Sequence, residues 1–119
     1  INNRKIETIA RTLVITESVI PENEIQTINI SEGGMAFHSE KPLPEGQSLL
    51  LRMVLLPTFF SVLTKAIVVA NQKQREIAAP DSLPFWTRVN FVNLDDRQQQ
   101  LLAKQILKFQ QQQRRKAAL

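Results

Sequence analysis

The chain has 119 residues, a mass of 13.6 kDa and a formal net charge of +4, with no cysteine and a single histidine, His38. The absence of cysteine excludes a disulfide scaffold, a thiolate nucleophile and any thiolate metal site, and one histidine excludes a multi-histidine site within one chain. The three glycines, Gly33, Gly34 and Gly46, cannot spell either glycine-rich phosphate cradle. With 43% hydrophobic residues the chain can bury a core and fits one domain. No run approaches the roughly 18 apolar residues that a membrane-spanning helix needs.

Residues 1–10, INNRKIETIA, are polar and mixed and read as an arm. RTLVITESVI, residues 11–20, is β-branched and bounded by Pro21, which predicts a strand. Residues 21–24 read as a turn. In IQTINI, Gln26, Ile28 and Ile30 share one face and Ile25, Thr27 and Asn29 the other. Ser31-Glu32-Gly33-Gly34 breaks that strand, and MAFHS resumes as the second half of a hairpin. EKPLPEG is a loop. QSLLLRMVLLP places Leu49, Leu51, Met53 and Leu55 on one face, with Leu50, Arg52, Val54 and Leu56 on the other. TFFSVLTKAIVVANQ allows a strand of about ten residues. Residues 73–83 are polar, with Pro80-Asp81-Ser82 as an exposed loop. FWTRVNFV sets Trp86, Arg88 and Asn90 against Thr87, Val89 and Phe91.

The last element changes period. Asn93 or Asp95 can cap a helix, and Asp95 and Asp96 suit the positive end of its dipole. Leu94, Leu101, Leu102, Ile106 and Phe109 then recur at helical spacing. The prediction is a mainly β chain: a six-stranded antiparallel β-barrel followed by a C-terminal α-helix that covers an opening or an outer face. The expected divisions are an arm at 1–10, a barrel at 11–93, and a helix with a basic tail at 94–119.

Charge is unevenly placed. Residues 97–119 hold six bases and no acid, whereas residues 1–96 hold nine bases and eleven acids. The six Phe and one Trp sit mainly in apolar runs and do not interleave with the bases. A solvated helix end therefore outweighs a nucleic-acid surface, and no nucleic-acid polymer is expected as a partner. No catalytic residue and no metal site are expected either. A Ser-His-Asp set would have to use His38, which has no carboxylate at an informative spacing. Glu22, Glu24, Glu32, Glu40 and Glu45 fall in turns and loops, as solvated acids do.

The sharpest local feature is Asn29-Ile30-Ser31-Glu32-Gly33-Gly34. Adjacent glycines leave backbone N–H groups uncovered, and Asn29 and Ser31 add short polar side chains on one face. That combination fits either a planar polar ligand or an ordinary capped hairpin turn. The segment resembles the D/N-x-S-x-x-G motif of the PilZ family, receptors for the bacterial second messenger cyclic di-GMP. Met35-Ala36-Phe37 is similar to the apolar strand that continues that motif. Arg88-Val89-Asn90-Phe91 is similar to the family's last barrel strand, with Asn90 at the glycine position. The helix from Asp95 resembles the helix that ends many PilZ domains.

The resemblance implies a cyclic di-GMP-binding regulatory domain with no other cofactor. It implies ligand-binding roles for Asn29, Ser31, Gly33 and Gly34 and for arginines on the arm. The family's second motif, R-x-x-x-R, is not complete here. If Arg11 is its second arginine, Glu7 stands at the first; if Arg4 is its first, Thr8 stands at the second. The Arg11 register is favoured because Arg11 directly precedes the expected strand, with Arg4 and Lys5 compensating from one turn away. A PilZ-like module that binds no nucleotide and serves protein contacts is the alternative.

Within the family, NISEGGMAF, the LLP before the long strand and Arg4-Lys5 resemble the PilZ domain at the C-terminal end of bacterial cellulose synthase catalytic subunits. That resemblance implies control of a membrane glycosyltransferase, in the same chain or as a partner protein, from the cytoplasmic side of the inner membrane. It leaves room for a homodimer. The first residue, Ile1, agrees with a domain cut from a longer protein.

Overall fold

The computed structural model describes residues 6–15, 20, 25–56, 58–73 and 83–117. Six strands precede one helix: β1 (Ile6–Val14), β2 (Ile25–Ile30), β3 (Gly34–Ser39), β4 (Ser48–Leu55), β5 (Phe60–Lys73), β6 (Phe85–Val92) and α1 (Asp96–Ala117). The strands close into an antiparallel barrel in the order β1-β2-β3-β6-β5-β4. Closure removes the exposed sheet edges that an open six-stranded sheet would carry.

Alternation explains the interior. Leu49, Leu51, Met53 and Leu55 of β4 all point inward and are fully buried, as are Ile28 and Ile30 of β2. Phe37 of β3, Val89 of β6 and Val62, Ala66 and Val68 of β5 complete the same cluster. At roughly 1.5–3 kcal/mol for each large aliphatic side chain removed from water, this shared interior is the main source of stability.

Three elements differ from the sequence reading. The first strand begins at Ile6, not Arg11, and ends at Val14. Ile6, Thr8 and Ala10 face the interior, so half of the expected arm is barrel wall. β5 runs for 14 residues rather than about ten. Its ladder with β6 shifts between Val68 and Ala70, so Val69 is a bulge. Leu101 is 42% exposed, while Leu102, Ile106 and Phe109 are buried. The helix turns about 100° per residue, which carries Leu101 off the face that the other three share. The turn at 21–24 and the loop residues 74–82 lie outside the described residues.

Asp95 resolves the capping choice. Its carboxylate Oδ1 accepts the Gln98 N–H at 2.7 Å, one of the orphan donors of the first helical turn. Asn93 instead takes the left-handed conformation (φ 57°) that redirects the chain out of β6. Leu94, Leu102, Ile106 and Phe109 then join the barrel core, so α1 closes one end of the barrel. The Thr58 hydroxyl, in the β4–β5 turn, donates to Gln105 Oε1 of α1 at 3.3 Å.

Candidate functional site

The β2–β3 turn is held from inside. Its Ser31 N–H donates to the Gly34 carbonyl at 2.9 Å, and the Ser31 hydroxyl reaches the same oxygen at 3.4 Å. The Gly33 carbonyl accepts the Phe91 N–H at 2.9 Å, which fastens the turn to β6. Gly34 lies opposite Asn90 in register. A Cβ there would collide with the Val89 carbonyl oxygen and stand 3.2 Å from the Asn90 Cα. Glycine is required at Gly34 by close approach of two backbones. Gly33 has open space around it instead.

Register sets the outer surface beyond the turn. Asn29, Ala36 and Arg88 form one row across β2, β3 and β6. Gly34 and Asn90 form the next row, and His38 and Trp86 another. On β3 the outward positions Gly34 and Ala36 carry no side chain beyond Cβ. The strand therefore forms the floor of an open groove, banked by Asn29 on one side and by Arg88 and Asn90 on the other. The groove encloses about 590 Å³ and also takes in Ser31, Gly33, Trp86, Phe91 and the bulged Val69.

β2 and β3 pair in register only at Asn29–Ala36 and Ile30–Met35. Beyond that point the Gln26 side-chain amide bridges the strands. Its Oε1 accepts the His38 N–H at 2.6 Å and its Nε2 donates to the His38 carbonyl at 3.0 Å. This clamp fixes His38, whose ring centroid lies 4.6 Å from that of Trp86 at a 55° tilt. Burial holds the His38 imidazole below its ordinary value of 6.5.

Among the described residues, Arg88 is the one charged residue lining the groove. Asn29 and Asn90 supply amide donors and acceptors, and Trp86 supplies an aromatic face at one end. Such a site suits a planar, polar, anionic ligand. Among the described residues no cluster of acids and histidine could hold a metal ion.

Asn29, Ser31, Gly33 and Gly34 thus come together on the groove. Arg11 does not join them. It sits on the outer face of β1 between Ile25 and Val54, and the position opposite Asn29 belongs to Glu7. Four residues of strand separate the two, roughly 13 Å. Arg4 lies outside the described residues; Ile6, the first described residue, pairs with Ile30. Sequence reasoning left Arg88, Asn90, Trp86 and Val69 off the site. The alternation in FWTRVNFV already placed the first three on one face; what it lacked was the pairing of β6 with β3.

A family model for the PilZ domain matches residues 12–108. Among solved structures, the PilZ domain with c-di-GMP of YcgR from Escherichia coli superposes with a TM-score of 0.64 at 16% identity, covering 98% of this chain and 95% of that one. A tetrameric PilZ-domain protein from Xanthomonas campestris, self-assembled through a helical bundle, gives a TM-score of 0.57 at 19% identity over 76% of this chain. This chain spans 48% of that protein's length. Among curated proteins no sequence matches closely enough to count as a relative.

Proposed function

The chain belongs to the PilZ family of cyclic di-GMP-binding regulatory domains, and on that premise we propose that its β2–β3–β6 groove binds cyclic di-GMP. The observation that carries the reading is the placement of Asn29, Ser31, Gly33 and Gly34 on one groove with Arg88. In this reading Asn29 and Asn90 bond the guanine edges. The Arg88 guanidinium takes a phosphate or lies against a base, both of which its planar fork suits. Arg4, outside the described residues, is the arm arginine this reading assigns to the phosphates, and Arg11 takes no direct part. The bound arm is the switch that a neighbouring enzyme reads.

Glu7 opposes this chemistry, because a carboxylate across from Asn29 repels a phosphodiester. Calorimetric titration with cyclic di-GMP, with GTP as control, tests the reading. Selective binding is expected, weakened about ten- to a hundredfold by Arg88→Ala, the value of one charge-assisted hydrogen bond. Glu7→Arg is expected to strengthen binding by a similar factor. Silence in both the native domain and Glu7→Arg would overturn the reading and leave a PilZ-like module for protein contacts.

The enzyme under control is, in the same proposal, a membrane glycosyltransferase of the cellulose synthase kind, in the same chain or as a partner. The domain would then lie on the cytoplasmic side of the inner membrane, with no cofactor beyond its ligand. The NISEGGMAF segment, the LLP before β5 and Arg4-Lys5 support this assignment. Among the described residues no helix is long and apolar enough to cross a membrane.

A further inference from the structure

The outer wall formed by β1, β4 and β5 carries chemistry that neither the core nor the groove uses. Register rows cross it as Arg11–Val54–Ser61, then Arg52–Leu63, then Leu50–Lys65. Ile15 extends the last row, its N–H donating to the Leu50 carbonyl at 2.8 Å. Long cations thus alternate with aliphatic side chains over roughly 10 Å across the strands and 13 Å along them. Leu63 is 52% exposed and Ile15 is 48% exposed. β1, β4 and β5 together hold one carboxylate, Glu7, which lies at the groove end of β1 opposite Asn29. At the tip of the β4–β5 hairpin, Phe59 is 73% exposed and held at φ 59°. A bulky residue at positive φ is strained, and such strain concentrates at functional surfaces.

We propose that this wall docks an acidic amphipathic segment of a partner protein. The partner's carboxylates pair with Arg11, Arg52 and Lys65, and its aliphatic side chains settle on Leu50, Val54 and Leu63. Charge selects this occupant over a second copy of the chain, since a two-fold contact would set cations against cations. Reach selects it over an anionic bilayer. Arginine and lysine side chains extend beyond the leucine and valine between them, so cations form the outermost layer, whereas insertion needs the apolar groups to lead. A peptide side chain passes between the cations. Exposed arginine and aromatic residues are also the usual anchors of protein interfaces.

The test is fluorescence anisotropy of the full 119-residue domain with a synthetic helix bearing glutamate on one face and leucine on the other, beside a twin with lysine for glutamate. The acidic peptide is expected to bind in the micromolar range and weaken with salt. Arg52→Glu should cost about tenfold, one charge-assisted contact, and Arg52→Glu/Lys65→Glu should bind the basic twin instead. Lys104→Glu/Lys108→Glu on α1 should change nothing. Cyclic di-GMP titration of Arg52→Glu should match the native domain, which separates this wall from the groove. No binding of the acidic peptide, equal binding of both peptides, or insensitivity to Arg52→Glu would overturn the proposal. So would capture by phosphatidylglycerol vesicles in place of the peptide, or dimerisation in sedimentation abolished by Leu63→Asp.

Discussion

The two outer walls of this barrel rest on one interior and yet differ in every respect that matters for recognition. On β3 the outward Gly34 and Ala36 leave the strand bare between Asn29 of β2 and Arg88 and Asn90 of β6, so the wall is concave. On β1, β4 and β5 the outward cations Arg11, Arg52 and Lys65 alternate with the aliphatic Leu50, Val54 and Leu63. Inward residues are interchangeable in character between the two halves: Ile28, Ile30 and Phe37 on one, Leu51, Met53 and Val62 on the other. Alternation decouples the faces of a strand, so the core fixes the fold and leaves each outer wall free to carry its own chemistry.

The comparison breaks first if the interior is not shared. Phe37 lies inside the groove half, fully buried. Phe37→Ala should cost about 3–5 kcal/mol in chemical denaturation, and Leu63→Ser on the convex wall within about 0.5 kcal/mol. Similar losses from both would mean that inner and outer positions are not distinct.

The two adjacent glycines sharpen it next. Gly34→Ala pushes a methyl into the Val89 carbonyl and should cost about 1–3 kcal/mol by forcing β3 from β6. Gly33→Ala meets open space and should leave the melting curve within about 0.5 kcal/mol of the native one. Equal effects would remove the close approach as the reason for Gly34.

The smallest effect is one of pH. Burial lowers the folded-state value of His38 below 6.5, so the unfolded chain binds the proton more readily. Stability is then fully present above pH 6.5 and declines as the pH falls below it, until the folded value is passed. Stability curves of the native domain and His38→Gln should diverge only on that acidic side. Curves that run parallel across the range would show that the imidazole beside Trp86 is not desolvated.

Much of this was legible in the sequence, and the rest failed for identifiable reasons. The buried face of β4, Leu49 through Leu55, is strict alternation and needs no tertiary information. The β2–β3 hairpin follows from Ser31-Glu32-Gly33-Gly34, and the helix stripe from Leu102, Ile106 and Phe109. The start of β1 was hidden because its inward residues include Thr8 and Ala10, which carry little hydrophobic signal. That misplacement drew Arg11 toward the site, and the register opposite Asn29 gives the place to Glu7. The second bank of the groove depends on β3 meeting β6, as at Gly34 and Asn90, which lie far apart in the chain. No local pattern encodes such a pairing, so Arg88 and Asn90 entered only with the fold. The bulge at Val69 is equally silent in IVVA.

The central claim is that the concave wall, not the convex one, receives the nucleotide. Amide chemical-shift mapping of the labelled domain during addition of cyclic di-GMP tests it most directly. The account predicts saturable shifts confined to Asn29–Ala36 and Trp86–Phe91, with the amides of Leu50–Val54 and Ser61–Lys65 unmoved. Shifts centred on Arg11, Arg52 and Leu63, or no shifts at all, would contradict it.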